Sequence, residues 1–150
     1  MHKILVLGAG LSSGALVSYL LDHAGKGKWK VRLADISEEM AGQKIMGHPA
    51  GETVKLDAGD EDHLAYEVHN ADLVISMLPA RMHPRVARQC VRYGRHLITA
   101  SYVSPELREL DEEARKKNVL LLNEVGVDPG IDHMSAMYLL ERLRKQGAEI

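Results

Sequence analysis

The sequence predicts a doubly wound α/β fold, in which a parallel sheet of about six strands is covered by helices on both faces. Three observations predict it. Short apolar runs alternate with helical patterns along all 150 residues. These runs are continuously apolar, as in strands that are buried on both faces. The first run leads directly into a glycine-rich turn, so the expected strand order is 3-2-1-4-5-6.

The first strand is predicted over Lys3 to Leu7 (KILVL), and the segment Gly8-Ala9-Gly10-Leu11-Ser12-Ser13-Gly14 follows at once. Glycines at 8 and 10 let the backbone turn sharply and approach a ligand. Helical spacing resumes at Ser12, and a helix N-terminus favours an anion such as a pyrophosphate. The pattern therefore predicts a dinucleotide site at this turn. Its third glycine, Gly14, stands one position later than in the usual fingerprint.

Five further strands are predicted from short apolar runs that end at polar residues or at Pro79. They cover about 30–34, 53–56, 72–78, 96–100 and 119–122. The run 72–78 (DLVISML) is the clearest of them. Because no linker or low-complexity segment interrupts the series, the whole chain is expected to form one dinucleotide-binding domain, 1–150.

The segments between these strands carry helix signals. Ser37 is a hydroxyl cap followed by two acids, Gly94 closes the helix that begins near His83, and Ser104-Pro105-Glu106 has a cap and a first-turn proline. Helices are predicted over about 12–23, 37–47, from 59–62 onward, 83–93, from 104 onward, and up to about 145. The glycine-containing segment 24–28 is predicted as a surface turn.

Asp35 follows the second strand, where the adenosine ribose lies in such folds. A carboxylate there accepts hydrogen bonds from the ribose hydroxyls and repels a 2′-phosphate, so NAD is expected rather than NADP. The alternative is that Asp35 caps the following helix, but Ser37 already has that role. Arg32 either reaches a phosphate or is a solvated edge residue.

Further lining positions are expected beyond the carboxyl ends of the other strands, because ligands of open parallel sheets bind there. These positions are Asp57 and Ala58 after the third strand, Leu78 and Pro79 after the fourth, Thr99, Ala100, Ser101 and Tyr102 after the fifth, and Gly126, Val127 and Asp128 after the sixth. The first two groups are expected beside the adenine and the centre of the cofactor, and the last two beside the nicotinamide.

Several polar residues at the nicotinamide end are candidates for contact with a substrate. The hydroxyls of Ser101 and Tyr102 suit a carboxylate or an amine, and the carboxylate of Asp128 suits an ammonium group, although all three also fit plain turn chemistry. Asp132 is predicted as the N-cap of the last helix. His83 and His133 have either a packing or an acid–base role. No residue stands out as the catalytic acid or base.

Composition excludes several other classes of protein. A formal charge of −2 without charge blocks argues against nucleic acid, and no apolar run approaches the ~20 residues that span a bilayer. The histidines lack metal-ligand spacing, so no metal is expected. Cys90, the single cysteine, is predicted as a small buried hydrophobe. A cytoplasmic location follows as the default expectation.

Four stretches resemble the saccharopine dehydrogenase family, in particular its glutamate-forming enzymes, the saccharopine reductases. They are GAGLSSG, DLVISMLP followed by HP, ITASYVSPEL and NEVGVDPGIDHMSAM. The resemblance implies cofactor contacts at Ala9, Gly10, Leu11, Ser12, Ala34, Asp35, Asp57, Ala58 and Leu78, and saccharopine contacts at Ser101, Tyr102 and Asp128. NADP-preferring members carry an arginine where this chain has Ile36, which also favours NAD.

The resemblance further implies oxidation of the secondary amine of saccharopine, giving glutamate and 2-aminoadipate 6-semialdehyde. Family members continue into a second domain with substrate and dimer contacts, so the 150-residue chain alone is expected to bind cofactor with little turnover. Two alternatives stay open: a related reductase acting on carboxynorspermidine, and a non-catalytic nucleotide-sensing module. The second does not require the SYVSP and DPGID segments.

Overall fold

The computed structural model describes residues 1–149. In this part of the chain, six parallel strands form one sheet in the order β3-β2-β1-β4-β5-β6, which confirms the predicted topology. The strands are β1 (His2–Leu7), β2 (Trp29–Asp35), β3 (Gly51–Lys55), β4 (Leu73–Ser76), β5 (His96–Thr99) and β6 (Leu121–Leu122). Strand order reverses between β1 and β4, so the ligand crevice of this fold lies at their carboxyl ends.

Helices connect the strands at nearly all the predicted places. They are α1 (Gly14–Asp22), α2 (Ala24–Gly27), α3 (Glu38–Ile45), α4 (Glu61–His69), α5 (His83–Tyr93), α6 (Pro105–Arg108), α7 (Asp111–Lys116) and α8 (Ile131–Lys145). A 3₁₀ turn precedes α1 at Leu11–Ser13, and another precedes α5 at Ala80–Met82. The first of these turns explains why the third glycine stands one residue late: the regular helix begins only at Gly14.

Both faces of the sheet are buried, as the continuously apolar strands predict. Successive residues of β1 point to opposite faces, because side chains alternate along a strand. Leu5 and Leu7 belong to the cluster that includes residues of α4 and α5. Ile4 and Val6 belong to the cluster that includes residues of α1 and α3. Because both faces of β1 pack against helices, its carboxyl end lies between two helical layers, and so does the crevice at that end.

Two local predictions are wrong. The segment 24–28 is not a plain turn, because residues 24–27 form α2 and Lys28 ends it with a left-handed φ of 55°. Glycine is required at 27, since a Cβ there would collide with the ring of Trp29, whose Nε1 donates to Leu20 O at 2.8 Å. The sixth strand is confined to 121–122, because the Val119 N–H donates to Ala114 O at 2.8 Å and the Leu120 N–H donates to the His96 ring, so neither N–H joins the sheet.

The two predicted serine caps and the buried cysteine are confirmed. Ser37 caps α3 and Ser104 caps α6, each accepting a backbone N–H at 3.3 Å. Cys90 is fully buried, and burial raises the pKa of its thiol to about 12. Among residues 1–149, no helix combines the length and apolarity needed to cross a membrane, and no three metal-ligating side chains cluster.

Candidate functional site

The glycine turn lies at the carboxyl end of β1 with its backbone close to the neighbouring strands. Gly8 has a φ of +101°, donates its N–H to Ala34 O at 2.8 Å, and would place a Cβ 3.0 Å from Met77 O. A Cβ on Gly10 would meet nothing within 4 Å, so the space beside that residue is open. The turn therefore packs tightly against the sheet on one side and leaves room for a ligand on the other.

Asp35 ties the end of β2 to this turn. Its Oδ2 accepts the Ala9 N–H at 2.6 Å, and its Oδ1 accepts the Ser37 N–H at 2.8 Å. A carboxylate has about four acceptor positions, so lone pairs remain for ribose hydroxyls. Asp35 thus has a structural role in addition to its predicted contact with the ribose. It does not cap α3, because the N-cap of that helix is Ser37. Ile36, next to it, is exposed.

The turns after β3 and β4 lie at the same ends of the strands as the glycine turn. Asp57 Oδ1 accepts the Gly59 N–H at 2.7 Å and shapes the turn, while Asp60 caps α4 by accepting the His63 N–H. Ala58 is buried, and Leu78 packs on the core at the end of β4. These positions lie at the expected edge of the sheet, and Asp57 keeps an exposed carboxylate there.

The polar residues after β5 and β6 come together although they are far apart in the sequence. The Tyr102 hydroxyl donates to Asp128 Oδ1 at 2.8 Å, across 26 residues. This hydrogen bond raises the pKa of Tyr102 above its ordinary value. The two segments are held at two further points: Glu124 N–H donates to Ser101 O, and Glu124 Oε1 accepts the Val103 N–H. Ser101, Tyr102 and Asp128 therefore share one surface at the nicotinamide end.

Two glycines let the loop after β6 approach β5. A Cβ on Gly126 would lie 2.9 Å from the Ala100 Cβ. Gly130 has a φ of +145°, and a Cβ on it would collide with the Gly126 carbonyl oxygen and lie 2.8 Å from the Gly126 nitrogen. The loop closes on itself, because Gly126 N–H donates to Pro129 O at 2.9 Å. The peptide bond between Asp128 and Pro129 is cis. Val127 projects outward from this loop and is exposed.

His83 lies beneath this surface, fully buried at the start of α5. Its Nδ1 is 2.9 Å from Ser76 Oγ, and its Nε2 is 2.8 Å from Ser101 Oγ and 3.0 Å from Thr99 Oγ1. Burial lowers the pKa of His83 below its ordinary value, so the ring is neutral near pH 7. The sequence left its role open, and no local signal indicates it, since its partners are 7 to 18 residues away.

Two other predicted residues differ from expectation. Arg32 neither reaches a phosphate nor is merely solvated: its Nε and Nη2 donate to both carboxylate oxygens of the buried Glu67, at 2.6 and 2.8 Å. Asp132 is not the N-cap of α8, which is Gly130. Its Oδ1 instead accepts the Gly130 N–H and lies 2.8 Å from the Nδ1 of His133. The acid sits in the first helical turn, so it still satisfies a free N–H there.

This geometry suits a nicotinamide dinucleotide. The open side of the glycine turn faces a helix N-terminus, which is the arrangement that holds a pyrophosphate. The carboxylate after β2 lies beside the glycine turn, where a ribose would bind in this fold, and the Ser101 hydroxyl lies beyond the end of β5. When bound, the nicotinamide would supply hydride transfer near the end of β5.

Comparisons with known proteins agree with this geometry. The family model described as the saccharopine dehydrogenase NADP binding domain matches residues 4–122. The saccharopine dehydrogenase [NADP(+), L-glutamate-forming] of Schizosaccharomyces pombe is 35% identical over 150 residues, covering 100% of this chain and 33% of that protein. The mitochondrial alpha-aminoadipic semialdehyde synthase of Rattus norvegicus is 36% identical over 99% of this chain and 16% of its own length.

Solved structures give the same result. The apo histidine-tagged saccharopine dehydrogenase (L-Glu forming) from Saccharomyces cerevisiae superposes with a TM-score of 0.84 at 30% identity, covering 98% of this chain and 32% of that one. The chain thus spans about a third of the length of the saccharopine dehydrogenases that it matches.

Proposed function

We propose, from the premise that this chain belongs to the saccharopine dehydrogenase family, that it forms the cofactor-binding part of an enzyme that oxidises saccharopine. The family consists of oxidoreductases that use a nicotinamide dinucleotide. The main support for a saccharopine site is the Tyr102–Asp128 hydrogen bond of 2.8 Å beside Ser101. It brings polar side chains together beyond the carboxyl ends of β5 and β6, and this supports a substrate site beside the nicotinamide end of the cofactor.

Each of these residues suits one part of the substrate. Saccharopine has carboxylates on both sides of its secondary amine and a primary ammonium on one side. The exposed carboxylate of Asp128 attracts an ammonium group, and the Ser101 hydroxyl can donate to a carboxylate. The Tyr102 oxygen, whose proton is donated to Asp128, can accept from an N–H of the substrate. Because the chain covers about a third of the matched dehydrogenases, we propose that residues beyond 1–150 complete the substrate site.

The proposed reaction removes a hydride from the CH2 carbon bonded to the secondary amine, the carbon that becomes the aldehyde, and a proton from the nitrogen, giving an imine and the reduced cofactor. Water then adds to the imine carbon, and the C–N bond breaks to release glutamate and 2-aminoadipate 6-semialdehyde. The residues after β5 and β6 hold the amine near the nicotinamide, and holding reactants in place is a large part of catalysis. The group that accepts the amine proton is not assigned to any residue of this chain.

We further propose that the cofactor is NAD. The names of the matching family model and of the fungal relatives refer to NADP. The proposed preference for NAD over NADP therefore rests on two residues of this chain. The carboxylate of Asp35 stands at the ribose and repels a 2′-phosphate, and the neighbouring Ile36 offers no positive charge.

The test is saccharopine-dependent formation of the reduced cofactor by the natural gene product, followed by its absorbance. Tyr102→Phe and Asp128→Asn are expected to lower kcat/KM for saccharopine about tenfold or more, since each removes a polar contact. Tyr19→Phe is the matched control, because Tyr19 lies on α1 and stacks on His23. Absence of turnover with saccharopine, or turnover with carboxynorspermidine instead, contradicts the proposal.

A further inference from the structure

A buried polar cluster lies directly under the proposed substrate surface. It consists of Ser76 at the end of β4, Thr99 at the end of β5, and His83 at the start of α5. All three residues are 1% exposed. They contact the partly exposed Ser101 through the Nε2 of His83, at 2.8 Å, and through Thr99 Oγ1, which accepts the Ser101 N–H at 3.3 Å.

We propose that His83 is a positioning residue that fixes the Ser101 hydroxyl for contact with the substrate. The proposal rests on the proposed function, because it takes Ser101 as a substrate contact. His83 does not touch the substrate itself, since it is buried beneath Ser101. Its effect is transmitted through the 2.8 Å contact between Nε2 and Ser101 Oγ.

The ring is held at both nitrogens, which fixes its orientation. Nδ1 contacts Ser76 Oγ on β4, and Nε2 contacts oxygens on β5 and in the turn after it. A neutral imidazole has one N–H donor and one acceptor nitrogen. An Nε2–H donated to Ser101 leaves that hydroxyl proton free for a substrate carboxylate, whereas an accepting Nε2 takes the proton and leaves only an acceptor. The tautomer of His83 therefore sets what Ser101 offers to a ligand.

Packing alone does not require this residue. A purely apolar side chain at position 83 would leave the Ser76 and Thr99 hydroxyls buried without the ring partner, at a cost for each of them. Replacing all of these residues with apolar ones would remove that cost, so a polar cluster needs a reason beyond stability. The cluster contacts the crevice at Ser101, and this points to orientation of that hydroxyl.

Two amide substitutions separate the contacts of the ring. His83→Gln can place an amide near the Nε2 position and so keep a partner for Ser101, whereas His83→Asn reaches only the Nδ1 position near Ser76. In the natural gene product, we expect His83→Asn to lower kcat/KM for saccharopine about tenfold and His83→Gln to lower it several-fold less. Affinity for the nucleotide should not change in either variant. His96→Asn is the matched control, because His96 lies at the other end of β5.

A double-mutant cycle with Ser101→Ala tests whether the effect passes through Ser101. We expect His83→Asn to add no further loss once Ser101 is alanine. Equal losses in the Gln and Asn variants, or losses that multiply in the double variant, overturn the proposal. A fall in nucleotide affinity that matches the fall in turnover also overturns it, because it indicates a general loss of structure.

The wild-type protein gives an independent readout if the Asn variant does not fold. With ¹⁵N-labelled histidine and the reduced cofactor bound to prevent turnover, adding saccharopine should shift the His83 Nε2 resonance, assigned by its absence in His83→Gln. An unshifted resonance refutes the proposal. If the wild-type protein does not oxidise saccharopine, the proposed function fails and this inference falls with it, an outcome distinct from an active enzyme in which the variants do not differ.

Discussion

Asp35→Ala is the most informative single substitution, because Asp35 has a structural role and a proposed role in cofactor choice. Its carboxylate accepts the Ala9 N–H at 2.6 Å and the Ser37 N–H at 2.8 Å. Hydrogen bonds to a charged group contribute about 1.5–3 kcal/mol each. Because the carboxylate is partly exposed, the low end applies, and the free energy of unfolding should fall by about 3 kcal/mol.

The same substitution should change the preference between the two cofactors. Two unit charges 4 Å apart interact by about 1 kcal/mol in water and about 4 kcal/mol at an intermediate effective dielectric. A 2′-phosphate has one to two negative charges, so removing the Asp35 carboxylate should relieve at least about 1 kcal/mol, which is about fivefold in affinity. NAD also loses its ribose acceptor. The ratio of the NADP to the NAD dissociation constant should therefore fall tenfold or more.

Isothermal titration with each nucleotide gives the ratio, and denaturant unfolding gives the stability. Asp72→Ala is the matched control. Asp72 Oδ2 also accepts a backbone N–H, that of Lys3 at 2.8 Å, but this contact lies at the amino ends of β1 and β4, away from the crevice. It should cost some stability and leave the ratio unchanged. Tighter binding of NADP than of NAD by the wild-type chain, or an unchanged ratio in Asp35→Ala, refutes the reasoning.

Three further predictions follow from the packing and the hydrogen bonds. The hydrogen bond to Asp128 raises the pKa of Tyr102, so Asp128→Ala should lower that pKa towards its ordinary value, and the tyrosinate absorbance should then rise at lower pH; an unchanged titration contradicts this. Gly130→Ala should destabilise the protein by about 1–3 kcal/mol because of its φ of +145°, whereas Gly42→Ala, inside α3 with open space around it, should not, as denaturant unfolding can measure. Cys90 should resist thiol reagents in the folded protein and react after denaturation, because burial raises its pKa to about 12; rapid labelling of the native protein would contradict this.

The strand order could be predicted because the sequence signals for it lie in short segments and agree with one another. Each strand is a short apolar run, and the two faces of β1 are filled by alternate residues of one such run. The glycine turn then identifies the first strand of the sheet. The end of β2 follows by counting from that turn, which is why Asp35 could be predicted to lie at the end of this strand before its contacts were known.

Sequence reasoning misread Arg32 and the segment 24–28 for two different reasons. Arg32 was left between a phosphate contact and a solvated position, because its partner Glu67 lies 35 residues away on α4. The segment 24–28 was read as a turn from its glycines, but Gly27 is required by the ring of Trp29, which forms the start of β2. Composition alone cannot distinguish a glycine that flexes from a glycine that makes room.

The two ends of the crevice also differ in how far apart in the sequence their residues lie, and this difference affects how the site works. The pyrophosphate end is built by neighbouring residues around Gly8 and Gly10, so it could be predicted from a short motif. At the other end, the exposed Tyr102 and Asp128 meet across 26 residues, and the buried ring of His83 contacts the neighbouring Ser101. Catalytic groups must be held by supporting contacts whose own geometry is fixed. Here the buried residues supply that support, so substitutions beneath the surface should alter substrate use as strongly as substitutions on it.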